Sequence, residues 1–150
     1  MYLKDISIPR DSMLFLTKNN ETIQTDVKQW VIIKYVDSLI CSKCTINATK
    51  EWIDSLNRIS SCEKIEKILI FSPKKKEYTK FIQLYFESEL QNPIYIDTCN
   101  VFINNNKFIP NNSIYHVVLL NNEGKINLIG DPVHHKSIKR LFENIIKRIN

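Results

Sequence analysis

The chain has 150 residues, 43% of them hydrophobic, and a formal net charge of +5, the size of one ordinary domain with a full core. Two glycines and five prolines exclude a low-complexity or loop-dominated chain, and no apolar run approaches the ~18 residues of a membrane span. The basic residues alternate with Glu and Asn, apart from the run Lys74-Lys75-Lys76, and no nucleic-acid motif accompanies them; a solvated helix face accounts for them better than a nucleic-acid interface.

In chain order, Met13 to Lys18 and Thr22 to Thr25 flank Asn19-Asn20-Glu21. Asn tolerates positive φ, so this stretch predicts an N-terminal hairpin. Trp30 to Val36 is a nearly continuous apolar run rich in β-branched residues, as expected of a strand covered on both faces. It leads into Cys41-Ser42-Lys43-Cys44. From Thr45 to Ile59 the residues Trp52, Ile53, Leu56 and Ile59 recur at helical spacing and predict a helix that begins at the cysteines.

Lys67 to Phe71 reads as a second buried strand. Ser72-Pro73 closes it and predicts the start of a helix, with Ser as cap and Pro in the first turn. Tyr78, Phe81, Ile82, Tyr85 and Phe86 form the apolar stripe of that helix. Pro93 to Asp97 is a third short strand. Asn100 to Asn112 is polar, with room for a helical turn at Val101-Phe102. Tyr115 to Leu120 and Lys125 to Ile129 flank Asn121-Asn122-Glu123-Gly124, a hairpin signal. After the break at Asp131-Pro132, a stripe of Ile138, Leu141, Phe142, Ile145, Ile146 and Ile149 marks a terminal amphipathic helix. Alternating strands and helices predict an α/β sheet with helices on both faces, made mixed by the closing hairpin. No internal repeat or boundary divides residues 1–150, so one domain is expected.

A Cys-x-x-Cys pair at the end of a buried strand and the start of a helix is a redox arrangement. The unpaired N–H groups of the helix start and its macrodipole favour a thiolate at Cys41. Cys44, one turn on, shares its face and can attack a mixed disulfide. Cys62 and Cys99 are distant in sequence and read as small, partly buried hydrophobes. A zinc site using all four is the weaker chemistry. Only one Cys-x-x-Cys knuckle exists, and Cys62 follows a ~17-residue helix that would carry it about 25 Å away. Two glycines leave nothing for an ATP loop or dinucleotide fingerprint.

With its Cys-x-x-Cys at the end of the first core strand, this order resembles the thioredoxin fold. It is most similar to the TlpA-like and peroxiredoxin-like branch, which adds an inserted βα unit and an N-terminal β-hairpin to the mixed central sheet flanked by helices. The resembling segments are Trp30–Cys44, Ile65–Asp97 and Ile114–Ile129. Val36-Asp-Ser-Leu-Ile-Cys-Ser-Lys-Cys44 and Leu128-Ile-Gly-Asp-Pro-Val133 also look like a group of bacterial envelope proteins, commonly lipid-anchored. The resemblance implies a thiol–disulfide oxidoreductase that needs no cofactor and no metal. It would exchange disulfides with protein thiols or disulfides, and a redox partner protein would reset it. It implies an address in the periplasm or cell envelope, with Met1 replacing a removed signal and anchor cysteine. Any membrane association would run through that lipid anchor. No signal-like apolar stretch follows Met1, so the cytoplasm is the address if nothing was removed.

Three positions depart from the family pattern. The proline usually cis before the strand facing the dithiol is missing: its place falls near Tyr115, and the nearest proline is Pro110. Ile40 replaces the aromatic residue before the first cysteine, and Tyr35 the buried acid of the preceding strand. A redox-inactive binding or scaffold module of the envelope is therefore the competing reading.

Beside Cys41 and Cys44, the candidate neighbours are Ile40, Lys43, Tyr115 and His116. Lys43 favours a thiolate but points to water. His116 either serves the thiol or is a histidine satisfied at a strand end. His134-His135 is expected to face solvent, with a metal role left open, and Asp37 either orients the cysteine loop or is exposed. Tyr35, Trp52, Tyr78 and Phe86 read as core or core-edge aromatics.

Overall fold

A computed structural model describes residues 5–19, 29–37, 41–59 and 65–149. Its strands are β1 (Leu14–Leu16), β2 (Trp30–Asp37), β3 (Ile65–Ser72), β4 (Ile94–Ile96), β5 (Val117–Leu120) and β6 (Ile126–Ile129). Its helices are α1 (Ser42–Ile59), α2 (Tyr78–Glu87), α3 (Val101–Asn105) and α4 (Lys136–Ile149). The strands form one mixed sheet in the order β1-β4-β3-β2-β5-β6. β2 pairs in parallel with β3 along its whole length and antiparallel with β5. It is thus an interior strand, as its apolar run predicts.

Successive strand residues point to opposite faces, and both faces are covered. Ile32, Leu69, Phe71, Val117 and Leu119 join Trp52, Ile53 and Leu56 of α1, Phe81 and Tyr85 of α2, and Phe142 and Ile146 of α4 in one cluster. Ile33, Tyr35, Ile68, Ile70, Val118 and Leu120 face the other way, onto Phe102 of α3, Ile109 and Met13. Burial on both faces is why β2 and β3 carry no alternation of apolar and polar residues. The inserted unit is α2–β4, which widens the sheet beyond β3.

Most sequence expectations hold, and two local ones, at Ser72 and Cys99, need correction. The first strand of the expected N-terminal hairpin is β1, which pairs antiparallel with β4 at the sheet edge; its intended partner, Thr22 to Thr25, lies outside the described residues. Ser72 caps no helix. Its hydroxyl donates to the Asn100 side chain at 2.7 Å and lies 3.2 Å from the Asp97 carbonyl, so α2 begins only after a 3-10 turn at Lys75–Glu77. Phe86 is half exposed, as is Leu141 of α4, because each lies at the margin of its helix stripe. Cys99 is exposed in the turn after β4 rather than partly buried; Cys62 lies outside the described residues.

Two glycines have conformational reasons. Gly124 has φ +80° in the β5–β6 turn. Gly130 has φ +137°, and a Cβ there would strike Ile138 of α4; its N–H donates to the Val117 carbonyl at 2.8 Å. Asp97, buried after β4, accepts the Val101 and Phe102 N–H groups at 3.0 and 2.9 Å and so satisfies the otherwise orphaned start of α3.

Leu56 has no solvent exposure, so Leu56→Ala leaves a cavity beneath α1. It should cost roughly 2–5 kcal/mol in urea denaturation. The half-exposed Leu141→Ala should stay within about 0.5 kcal/mol of the parent.

Candidate dithiol site

β2 ends at Asp37 and α1 begins at Ser42, so Cys41 stands immediately before the helix. Its carbonyl accepts the Thr45 N–H and the Thr45 hydroxyl, each at 3.0 Å. Its sulfur lies 3.2 Å from the Cys44 N–H, which donates to it. This is an N-cap geometry in which sulfur takes the place of the usual side-chain oxygen. Thr45 and Thr49 are buried, and the Thr49 hydroxyl donates back to the Thr45 carbonyl at 2.9 Å, which anchors the first turns.

Cys41 and Cys44 are joined by a disulfide with a Cα–Cα distance of 5.3 Å, inside the range that such a bridge spans without backbone movement. Both cysteines are exposed. Access therefore does not distinguish them. Position does, since the Cys41 sulfur is the atom at which a helix N–H is aimed.

The remaining candidates divide. Lys43 is exposed and lines a groove between α1 and α2. Ile40 lies outside the described residues. Tyr115, 38% exposed, belongs to a 3-10 turn at Ser113–Tyr115 before β5. His116 is buried; its Nε2–H donates to the Pro110 carbonyl at 3.0 Å, and its ring meets Tyr35 edge-on. It is a satisfied histidine, one of the two alternatives the sequence left open. All peptide bonds of the described residues are trans, including that before Pro110.

A cleft of about 420 Å³ runs along α1 from Thr45, the residue after Cys44. Val36, Asp37 and Thr45 lie at the end near the cysteines; Thr49, Trp52 and Ser55 of α1 form one wall, and Ser113, His116, Val133 and His134 the other. Three charged or polar groups were not singled out from sequence as one unit: Lys34 and His134, which line the cleft, and Asp131. Asp131, buried, accepts the Trp52 indole N–H and the Val133 N–H, both at 2.9 Å, and the His134 Nδ1–H at 2.7 Å. Lys34 of β2 lies 3.8 Å from the same carboxylate, with its ammonium 4.8 Å from the centre of the Trp52 ring. The signal was present: a lysine inside an otherwise apolar central strand needs a buried partner. His134, expected to face solvent, is largely exposed and yet tied to Asp131.

Burial alone would raise the Asp131 carboxyl, but hydrogen bonds from His134 and Trp52, the Lys34 charge and the Val133 N–H together hold it below the usual carboxylate value. Burial pulls the Lys34 ammonium down, partly opposed by Asp131. On the other face, burial raises the Tyr35 phenol.

Solved structures with the same architecture give the fold its name. A thioredoxin-like protein from Porphyromonas gingivalis, itself uncharacterised, superposes with a TM-score of 0.55 at 14% identity, over 93% of this chain and 90% of that one. A candidate thiol:disulfide interchange protein DsbE from Chlorobium tepidum gives 0.59 at 10% identity, over 99% and 100%. The mitochondrial 2-Cys peroxiredoxin of Plasmodium falciparum gives 0.52 at 14% identity, over 99% and 90%. No protein-family profile and no curated protein matches the chain. The chain has a thioredoxin-like fold, and its structural neighbours span the DsbE-like and peroxiredoxin groups, as the resemblance in the sequence implies.

A carboxyl with a depressed folded-state pKa adds stability above its unfolded value, lost as pH falls through the folded value. Asp131 should therefore stabilise the protein fully above about pH 4 and progressively less below it. In urea denaturation, Asp131→Asn should lower stability by roughly 2–4 kcal/mol at neutral pH. It should also flatten the acid limb of the profile. An unchanged acid limb in the variant would mean that Asp131 does not supply it.

Proposed function

We propose that this thioredoxin-fold chain is a thiol–disulfide oxidoreductase that acts on protein disulfides, with Cys41 as the attacking thiol and Cys44 as the resolving one. One observation carries the reading: the Cys41 sulfur sits at the N-cap of α1, bridged to Cys44 and receiving its N–H. In the reduced form the same N–H and the helix dipole favour a thiolate over a thiol at Cys41. The thiolate attacks one sulfur of a substrate disulfide, and the other sulfur leaves with the electron pair. Cys44, deprotonated, then attacks the Cys41 sulfur and expels the second substrate thiolate. Two electrons pass to the substrate, whose sulfurs take up protons, and the Cys41–Cys44 disulfide remains. A partner dithiol returns the pair to its reduced form. The reverse sequence oxidises a substrate dithiol. The exposure of both cysteines and the cleft beside α1 suit a polypeptide substrate lying across the helix end.

The reading includes an address in the cell envelope, which rests on the sequence resemblance of the segments around Cys41 and Leu128 to Val133; fractionation of the producing cells tests it separately.

Alkylation across pH should give Cys41 an apparent pKa below the ~8.5 of a free thiol. Cys44→Ser should accumulate a mixed disulfide at Cys41, detectable by mass, because the thiol that would resolve it is gone. Cys41→Ser should trap nothing. A folded Cys44→Ser protein with an ordinary Cys41 pKa and no captured disulfide partner would leave a scaffold that only inherited the fold.

A further inference from the structure

We infer that Asp131 is a positioning residue for this reaction: it clamps the Asp131–His134 turn and the Ser113–His116 turn against α1 and so holds the wall on which a disulfide-bearing polypeptide rests. The inference rests on the oxidoreductase reading and adds a specific residue to it. The carboxylate gathers three elements at one point. Trp52 brings in α1, Lys34 brings in β2, and Val133 and His134 bring in the turn after β6. The Asp131 backbone N–H adds a fourth, donating to the Ile114 carbonyl at 2.9 Å. Trp52, Val133, His134 and Lys34 all line the cleft that reaches Asp37 and Thr45 at the dithiol end.

Partnering Lys34 and the Trp52 indole is a structural role in itself, but it does not require the same carboxylate to hold Val133 and His134 as well. Packing alone is served as well by an apolar side chain, since a buried ion pair rarely exceeds a hydrophobic replacement in stability. What a carboxylate adds is direction. It accepts several donors at fixed angles and sets the orientation of each one. His134 illustrates the point. Its side chain remains 64% exposed, so burial contributes little to its placement, and the bond to Asp131 sets where the ring stands on the cleft wall. Trp52 has its ring edge fixed by the same group, which sets the indole on the α1 wall of the cleft.

The test compares two activated disulfides as probes: a thiopyridyl mixed disulfide of a short extended peptide, and the same group on a capped single cysteine. In each case Cys41 bonds to the probe's cysteine sulfur and thiopyridone leaves with the electron pair, read by absorbance. Cys62 and Cys99 are replaced by serine in every protein so that only the dithiol reports. The parent should react about tenfold faster with the peptide than with the capped cysteine, the scale on which a positioned contact acts. Asp131→Asn should lose most of that preference while its rate with the capped cysteine changes less than about twofold. His134→Ala, which opens no buried vacancy, should lose part of it. If Asp131→Asn fails to fold by circular dichroism, His134→Ala decides: a reduced preference supports the clamp and a retained one overturns it. Equal preference in parent and Asp131→Asn, or none in the parent, also overturns it. Failure of Cys41 to react with either probe would instead remove the oxidoreductase reading on which the clamp depends.

Discussion

The start of a helix leaves N–H groups that nothing within the helix can satisfy, and in this chain a sulfur atom meets one of them. The rest of the fold serves that placement. β2 is held from both sides, by β3 in parallel and β5 antiparallel, and it ends at Asp37, shortly before Cys41. Trp52, Ile53 and Leu56 then fasten α1 to the sheet with almost no exposure. A helix anchored in that way points its positive end at a defined place. A thiol at that place shifts toward its anion because the charge finds donors already oriented. On the proposed reading, this preorganisation, rather than any unusual residue, is what activates Cys41.

The second constraint is electrostatic and lies beside the first. Lys34 sits in a strand whose neighbours are apolar, and a cation there requires a partner. Asp131 provides it from the far side of the β5–β6 hairpin, together with acceptors for Trp52 and His134. β2 itself carries no buried acid, and the carboxylate that meets Lys34 comes from the turn after β6. Tyr35 faces the opposite cluster, stacked on Phe102 and edge-on to His116. Adjacent residues of one strand thus serve different sides of the sheet.

The sequence made the elements legible wherever hydrophobic period and length agreed. The buried strands at Trp30 and Lys67, the helix after the cysteines and the terminal helix all follow from side chains that had to be covered. The helix start at Cys41 was legible for the same reason. Ser72 was misread because its hydroxyl found Asn100 and Asp97, residues distant in sequence, before any local helix N–H. Phe86 and Leu141 are half exposed, and a stripe of apolar residues does not show where its own edge meets water. The Asp131 cluster was hidden because its members lie on β2, α1 and a turn almost a hundred residues from β2; only the isolated lysine in an apolar strand hinted at it.

The central claim is that Cys41 and Cys44 form one reversible couple at the helix end. Its most direct test is a redox titration of the intact protein in buffers of graded thiol–disulfide ratio, with each cysteine's state mapped by mass after alkylation. The account predicts a single two-electron transition in which Cys41 and Cys44 change together, linked to each other when oxidised, while Cys62 and Cys99 stay as thiols throughout. A folded protein in which Cys41 and Cys44 titrate independently, or in which either pairs with Cys62 or Cys99 at equilibrium, would contradict it.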